Sequence, residues 1–328
     1  MPVDNAAAGT LPLIAWFDDG GQLTSEMLGG KCLGLAQMTA AGFAVPPGFA
    51  VTTAAHRRIQ DPEPPPGPGP VEQAVGSAYA ELGRRVGHLD PPVAVRSSGQ
   101  NEDGQDASFA GQYDTYLWVT GADGVLDAVR RVWAGSLADS AQSYRVERHL
   151  GVAVSPMCVG VQLMVDARSA GVMFTLDPRT GDRSCIVIES SWGLGEAVVG
   201  GEVRPDRISV NKVTGTVTVE EVGTKEAEYR FDPHVGGVRL VPVEPSRRSA
   251  VSLSDDEMAE LAHLGRQIER LRGAAQDVEW AIDRDGNLFL LQVRPETVWS
   301  TRRKTEDPAA QRRGALERVV AQLSGAES

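Results

Sequence analysis

Residues 277–297 read DVEWAIDRDGNLFLLQVRPET. Asp285-Gly286 is a strong signal for a two-residue hairpin turn. With that turn Arg284 opposes Asn287, and counting back along the two strands puts Glu279 directly across from Gln292. Alternate residues of a strand share a face, so Arg294 lies on the same side as both. Val278, Trp280 and Ile282 on one strand, with Phe289, Leu291 and Val293 on the other, make an apolar opposite face that belongs to a core. A carboxylate, an amide oxygen and a guanidinium thus converge on one side of a packed hairpin. The two oxygens are hard ligands suited to Mg²⁺, and the arginine would neutralise phosphate charge beside them. A solvent-facing sheet with a Glu–Arg pair is the competing reading, and a one-residue bulge would break the pairing.

Just upstream, Ser254 with Glu257 forms a capping box. Met258, Leu261, Leu264, Ile268 and Leu271 supply an apolar stripe, and Gly273 a stop, so the segment reads as a core helix. Further back, 159–165 and 171–176 read as two strands joined by a short polar turn, with Gln162 the polar exception at a position a purine-binding hinge would use. Residues 93–117, VAVRSSGQNEDGQDASFAGQYDTYL, begin with a short strand that delivers Arg96, which can grip phosphate oxygens with two N–H groups. The small residues around Phe109, from Ala107 to Gly111, suit a flap that excludes water. Near the start, Gly29-Gly30-Lys31 precedes a helix whose N-terminal N–H groups would meet an anion. It is not a Walker A loop, since Cys32 follows the lysine, and an ordinary glycine turn is the alternative. Residues 60–70, QDPEPPPGPGP, read as a polyproline-like surface connection between two early helices.

The chain has 328 residues, enough for two domains or one two-lobed unit, and 41% of them are hydrophobic, which supports a real core. The mixed order of strands and helices indicates an α/β or α+β architecture. A net charge of -12 repels phosphate backbones and argues against nucleic acid as a partner. Cys32, Cys158 and Cys185 lack metal-ligand spacing and fit a reducing compartment. No apolar run approaches about 18 residues, and the N-terminus has no signal-peptide pattern, so the expectation is a cytoplasmic protein with no membrane partner.

Taken in order, GGKCLGLAQM with AGFAVPPGFAVT, VAVRSS with ASFAGQYDTYL, AGVMFTLDP, SWGLGEAVVGGEVRPD, and DVEWAID with LLQVRPET resemble the N-terminal ATP-binding domain shared by phosphoenolpyruvate synthase, pyruvate phosphate dikinase and rifampicin phosphotransferase. The resemblance spans 14–299 and implies an α+β, ATP-grasp-like fold of two lobes. One lobe covers 1–165 with the flap and the 60–70 connection, the other 166–300 with the metal-binding hairpin, and 301–328 is a charged tail. By matching motifs, Lys31, Arg96 and Arg294 are implied as catalytic phosphate clamps, and Glu279 and Gln292 as Mg²⁺ ligands. Gly111, Thr115 and Gln162 are implied as further ATP contacts. The flap SSGQNEDGQDASFAGQ departs from the family's more usual residues, and the roles of Glu196 and Glu202 stay open.

In this family the ATP domain passes a β-phosphoryl group to a histidine on a swivelling domain, releasing AMP and phosphate. None of His56, His88, His149, His234 and His263 has that histidine's threonine-serine setting. The expectation is a separate histidine-carrying swivelling-domain protein and an acceptor-binding subunit, similar to the split arrangement of phenylphosphate synthase. The final acceptor would be a small-molecule hydroxyl, phenol or enol. A non-catalytic ATP-sensing module and an ADP-forming ATP-grasp ligase are the alternatives.

Overall fold

A computed structural model of the protein describes residues 11–21, 23–59, 68–99, 115–146, 156–297 and 299, with the backbone alone for 136–146. The first half of the chain runs β1 (Ile14–Trp16), α1 (Ser25–Ala40), β2 (Gly48–Val51), α2 (Thr53–Ile59), α3 (Pro70–Val86), β3 (Val93–Ser98), β4 (Thr115–Val119), α4 (Ala122–Val146) and β5 (Cys158–Leu163). Its strands form one antiparallel sheet in the order β1-β2-β5-β3-β4. Alternation splits the sheet's side chains between two layers. Val93, Val95, Val159 and Val161 pack against α3 and α4 through Val71, Val75, Leu82 and Val129. Ala50 and Cys158 face the other way and meet Leu28, Cys32 and Leu35 of α1. Arg96 and Gln162 lie on this α1 side, because Arg96 pairs with Gly160 and Ala94 with Gln162.

The second half runs β6 (Ala167–Phe174), β7 (Cys185–Trp192), α5 (Glu196–Val199), β8 (Asp206–Asn211), β9 (Val217–Glu221), β10 (Ala227–Asp232), β11 (Gly237–Pro242), α6 (Pro245–Arg248), α7 (Asp255–Arg272), β12 (Gln276–Asp283) and β13 (Leu288–Pro295). Six of these strands form an antiparallel sheet ordered β13-β12-β6-β7-β8-β9, and β10 and β11 pair separately. The strands read as β5 and β6 are therefore not a hairpin: the short segment between them crosses from one sheet to the other. The resulting arrangement is α+β and built on two separate sheets.

The capping box at Ser254 and Glu257 opens α7, and Gly273 closes it in the left-handed conformation. Met258, Leu261 and Ile268 are buried against Met173, Ile188 and Trp280, whereas Leu271, expected in the stripe, is exposed. At 100° per residue the helix has turned it off the core face, and Ala262 and Gly265 complete the contact instead. Cys32 and Cys158 are buried and Cys185 is half-buried. Among the described residues no helix is long and apolar enough to cross a membrane.

His56, on α2, is buried and stacks on Trp133 with ring centroids 5.0 Å apart. Its Nδ1 accepts the Met157 N–H at 2.9 Å while Trp133 Nε1 donates to the Met157 carbonyl at 3.0 Å, so the two rings fix the entry to β5. Burial holds the imidazole below its ordinary pKa, and Arg57 adds to that. A depressed histidine stabilises the fold above the unfolded value of about 6.5, and that stabilisation is lost as pH falls towards the lower folded value. Urea unfolding between pH 7.5 and 5.5 should show stability falling with pH in the native protein. In His56→Asn, which keeps an acceptor for Met157, stability should be lower at pH 7.5 and the profile flatter.

Candidate functional site

The β12–β13 hairpin departs from its expected geometry twice, and the departures cancel. Asp283 pairs with Asn287 through a 3.0 Å N–H···O bond, so the loop has three residues, 284–286, with Gly286 at φ +89°. The Asp283 carboxylate holds this turn by accepting the N–H groups of Asp285 and Asn287 at 2.9 and 2.8 Å. Beside the turn Trp280 therefore pairs with Leu290 and Ile282 with Leu288, one residue out of the expected register. A bulge between Glu279 and Trp280 then takes up the extra residue, Leu291. Beyond it Glu279 pairs with Gln292, Val278 with Val293 and Asp277 with Arg294. The expected core face is corrected accordingly: Leu290 and Leu288 join Val278, Trp280, Ile282 and Val293, while Leu291 packs with Ala170 and Ala281 on the cleft side and Phe289 is only half-buried.

Onto this hairpin the first sheet delivers Arg96. Its Nη1 lies 3.3 Å from the Leu291 carbonyl, 3.4 Å from Gln292 Oε1 and 3.6 Å from Glu279 Oε2. Arg96 sits within β3 and not at its end, and its buried Nε has no hydrogen-bond partner among the described residues. Thr115 pairs directly with Arg96 across β3 and β4 and shares its face. Gln162 lies further along that face, 2% exposed, and its Nε2 likewise has no partner among the described residues. An unpaired buried donor costs about 1–3 kcal/mol, so two on one face suit acceptors supplied from outside the described residues. Gly111, with the rest of the expected flap, lies outside the described residues.

Lys31 is placed by its backbone. A helical turn already precedes the glycines, and Gly29, at φ +68°, kinks α1 so that its second part starts beside the end of β3. There Gly30 N–H donates to Gly99 O at 2.9 Å and Cys32 N–H to Ser98 Oγ at 3.0 Å. The amides expected to meet an anion are thus partly spent on β3, which leaves the lysine as the main cationic contribution of this segment. A Cβ on Gly34 would come within 2.8 Å of the Val293 carbonyl, so α1 also rests on β13 between Gln292 and Arg294. Lys31, Arg96, Glu279, Gln292 and Arg294 are therefore carried by helix α1, strand β3 and the β12–β13 hairpin, which meet one another.

One group, Asp277, escaped the sequence reading, and Glu196, whose role the sequence leaves open, gains a setting. Asp277 accepts Arg294 Nε at 2.7 Å, and burial raises its carboxyl above the usual range although Arg294 opposes this. Its place directly across from Arg294 follows from the same counting that paired Glu279 with Gln292, so the signal was present. Glu196, on the one-turn α5, has a raised carboxyl, chiefly from surrounding protein and then from Glu279 and Glu202, with Arg96 opposing. It remains solvent-exposed by area, which places it in an open cleft instead of a sealed core. Glu202 accepts the Tyr229 hydroxyl at 3.0 Å. Nothing local in the sequence brings this loop to the hairpin. Among the described residues no group of three or more His, Cys, Asp or Glu side chains is arranged to hold a metal.

The family described as pyruvate phosphate dikinase, AMP/ATP-binding domain matches residues 65–315, and the chain belongs to it. The phosphoenolpyruvate synthase of Aeropyrum pernix is 37% identical over 91% of this chain and 44% of its own length. The Escherichia coli phosphoenolpyruvate synthase is 36% identical over 89% and 43%. The prodigiosin synthesizing transferase PigC of Serratia marcescens is 40% identical over 84% and 32%. The chain thus spans less than half the length of these curated relatives. Among solved structures, D-alanyl-alanine synthetase A from Vibrio cholerae overlays with a TM-score of 0.33 at 11% identity, covering 79% of this chain and 53% of that one. A likeness of that size carries no weight for fold or function.

A Cβ on Gly29 would fall 2.1 Å from the Ser98 carbonyl, and its φ is left-handed, whereas Gly42, at φ +84°, has open space around it. Gly42→Ala should cost about 1 kcal/mol, the conformational penalty alone. Gly29→Ala adds a backbone clash and should cost about 3 kcal/mol or more, read as the difference between the two urea midpoints at equal slope.

Proposed function

We propose that this chain is the ATP-binding part of a dikinase-type phosphotransferase, using Mg·ATP to phosphorylate a histidine on a separate swivelling-domain protein, with AMP and phosphate as the other products. The observation that carries this reading is Arg96, which reaches out of the first sheet to within 3.6 Å of the Glu279 carboxylate and 3.4 Å of the Gln292 amide oxygen on the second. The family's AMP/ATP-binding domain supplies the nucleotide.

Glu279 and Gln292 suit Mg²⁺ because they offer two hard oxygens on adjacent strands, and an ion that keeps several waters and takes phosphate oxygens needs no further protein ligand. When bound, the ion would screen the phosphate charge and draw the triphosphate towards the hairpin. Lys31, Arg96 and Arg294 act as the phosphate clamps, holding the β-phosphoryl group in line with its acceptor and stabilising charge on its oxygens. Thr115 lies beside Arg96 and contacts the same phosphates, and Gln162 donates Nε2 towards the purine end of the cleft; Gly111 is a further ATP contact by its motif alone. The lobes of this cleft divide at 165/166.

On this reading the acceptor histidine comes in trans; His149 lies outside the described residues, and the four described histidines are placed as follows. His56 is locked in the core, and His263 lies on α7, which packs on the sheet face opposite Glu279. His88 follows α3 on the far side of the first sheet, and His234 sits in the β10–β11 turn. The partner, with an acceptor-binding subunit as in phenylphosphate synthase, hands the phosphoryl group to a small hydroxyl, phenol or enol.

The test is incubation of the full chain with Mg²⁺, β-labelled ATP and candidate swivelling-domain proteins. AMP with acid-labile label on the partner supports the reading. ADP formation would identify a ligase, and nucleotide-stabilised melting without turnover a sensor. Arg294→Ala and Glu279→Ala should each lower AMP formation by about two orders of magnitude or more while moving the melting temperature by only a few degrees. Undiminished AMP formation in either variant would reject its assignment.

A further inference from the structure

We infer that Asp277 is a positioning residue for Arg294, fixing which edge of the guanidinium meets a triphosphate; the inference rests on the phosphate-clamp reading above. Asp277 and Arg294 are direct cross-strand partners on β12 and β13, on the same face as Glu279 and Gln292. Arg294 presents one side of its fork to the aspartate, Nε at 2.7 Å and Nη2 at 2.6 Å, both to Oδ2. Arginine's donors are set in a rigid plane, so engaging the Nε edge determines the direction of the remaining Nη edge.

Exposure divides the pair. The Asp277 side chain is 12% exposed and that of Arg294 42%, so the carboxylate lies beneath and the guanidinium reaches the cleft. An arginine on a long stem would otherwise sample many rotamers, and ordering it when ligand arrives would cost affinity. With the carboxylate below, that ordering is complete before ligand binds. Stability alone gives little reason for the arrangement, because taking a carboxylate out of water is expensive and an apolar pair of similar size on these strands would serve the sheet as well or better. The acidic residues around Asp277 sharpen the point. Glu279 stands two residues away on the same face of β12 and Glu296 just past the end of β13, so Asp277 sits among like charges, which adds to the cost of keeping it there.

The experiment uses Asp277→Leu, which removes the acceptor, and Asp277→Asn, which keeps an oxygen for the Arg294 Nε–H. Affinities for Mg·ATP and for AMP are measured by calorimetry on the full chain, alongside thermal melting. Arg294 is assigned to phosphates that AMP lacks, so Asp277→Leu should weaken Mg·ATP about ten- to a hundredfold and AMP by less than about threefold, while Asp277→Asn retains most of the ATP affinity. Arg294→Ala should weaken Mg·ATP in the native background and have little further effect in Asp277→Leu. Equal loss for both nucleotides would assign Asp277 a structural role only. Tighter Mg·ATP binding in Asp277→Leu would mean the carboxylate merely offsets charge. Either result overturns the inference and leaves the phosphate-clamp reading in place. A native chain that binds neither nucleotide would remove that reading and this inference together.

Discussion

One inserted residue, Leu291, sets the chemistry of the cleft. Side chains alternate along β13, so the bulge decides which of Gln292, Val293 and Arg294 point towards α7 and which towards the first sheet. Without it, on the register fixed by the three-residue turn, Gln292 and Arg294 would face Trp280 and Ile282 in the apolar core, and Val293 would enter the cleft. A buried unpaired guanidinium costs several kcal/mol, so that register is closed to the folded chain. The bulge also turns the Leu291 carbonyl to where Arg96 Nη1 meets it at 3.3 Å. The same irregularity therefore aims two hairpin side chains and anchors the cation arriving from the other sheet.

What keeps the two sheets in that relation is α1, which belongs to both cores. Leu28, Cys32 and Leu35 pack on the first sheet. Met38 is fully buried among Met173, Ile186 and Val293 of the second, with Phe43 and Val45 beside it. The Leu290 N–H donates to Ala44 O at 2.8 Å, and Arg272 of α7 bonds Gln37. Burying a side chain like Met38 is worth roughly 1.5–3 kcal/mol, so any motion that parts the sheets must first unpack one end of this helix. Across the cleft, Trp118 of β4 stacks on Phe231 of the β10–β11 hairpin at 4.7 Å, and it does so from a left-handed φ of 59° that a tryptophan rarely adopts. The site residues are thus held by fixed contacts on both sides of the cleft.

Local signals in the sequence were sufficient wherever the structure is local. The capping box and Gly273 fixed the ends of α7 because caps act within one helical turn. The pairing of Glu279 with Gln292 was reached correctly, but by two errors of opposite sign: the Asp283 side chain lengthens the turn, and Leu291 absorbs the difference. Neither leaves a local trace as strong as Asp-Gly, which is why Phe289 and Leu291 were assigned to the wrong layer. The glycines before Lys31 were legible as a place of close approach but not as to what approaches. The partner is the end of β3, nearly seventy residues away, and long-range contact of that kind has no periodicity to read. The role of Glu196 stays open in the sequence for the same reason. Gln162 differs, since a polar residue in an apolar strand is visible in sequence, and its buried Nε2, without a partner among the described residues, gives that anomaly physical content.

The charge balance of the cleft bears on what it can hold. Asp277, Glu279 and Glu196 stand around the same few strands as Arg96 and Arg294, and Asp277 already occupies one edge of Arg294. Two unit charges about 6 Å apart at an effective dielectric near 20 interact by about 3 kcal/mol, so three carboxylates offset much of what three cations offer a polyphosphate. A bare triphosphate would meet a nearly neutral site. On the proposed reading the favourable species is the magnesium complex, because a divalent ion between Glu279, Gln292 and the phosphates converts repulsion into attraction on both sides. The same reading accounts for a proposed metal site with so few protein ligands. The acidic side chains supply the demand for a cation, the nucleotide supplies the remaining oxygens, and neither is well accommodated without the other.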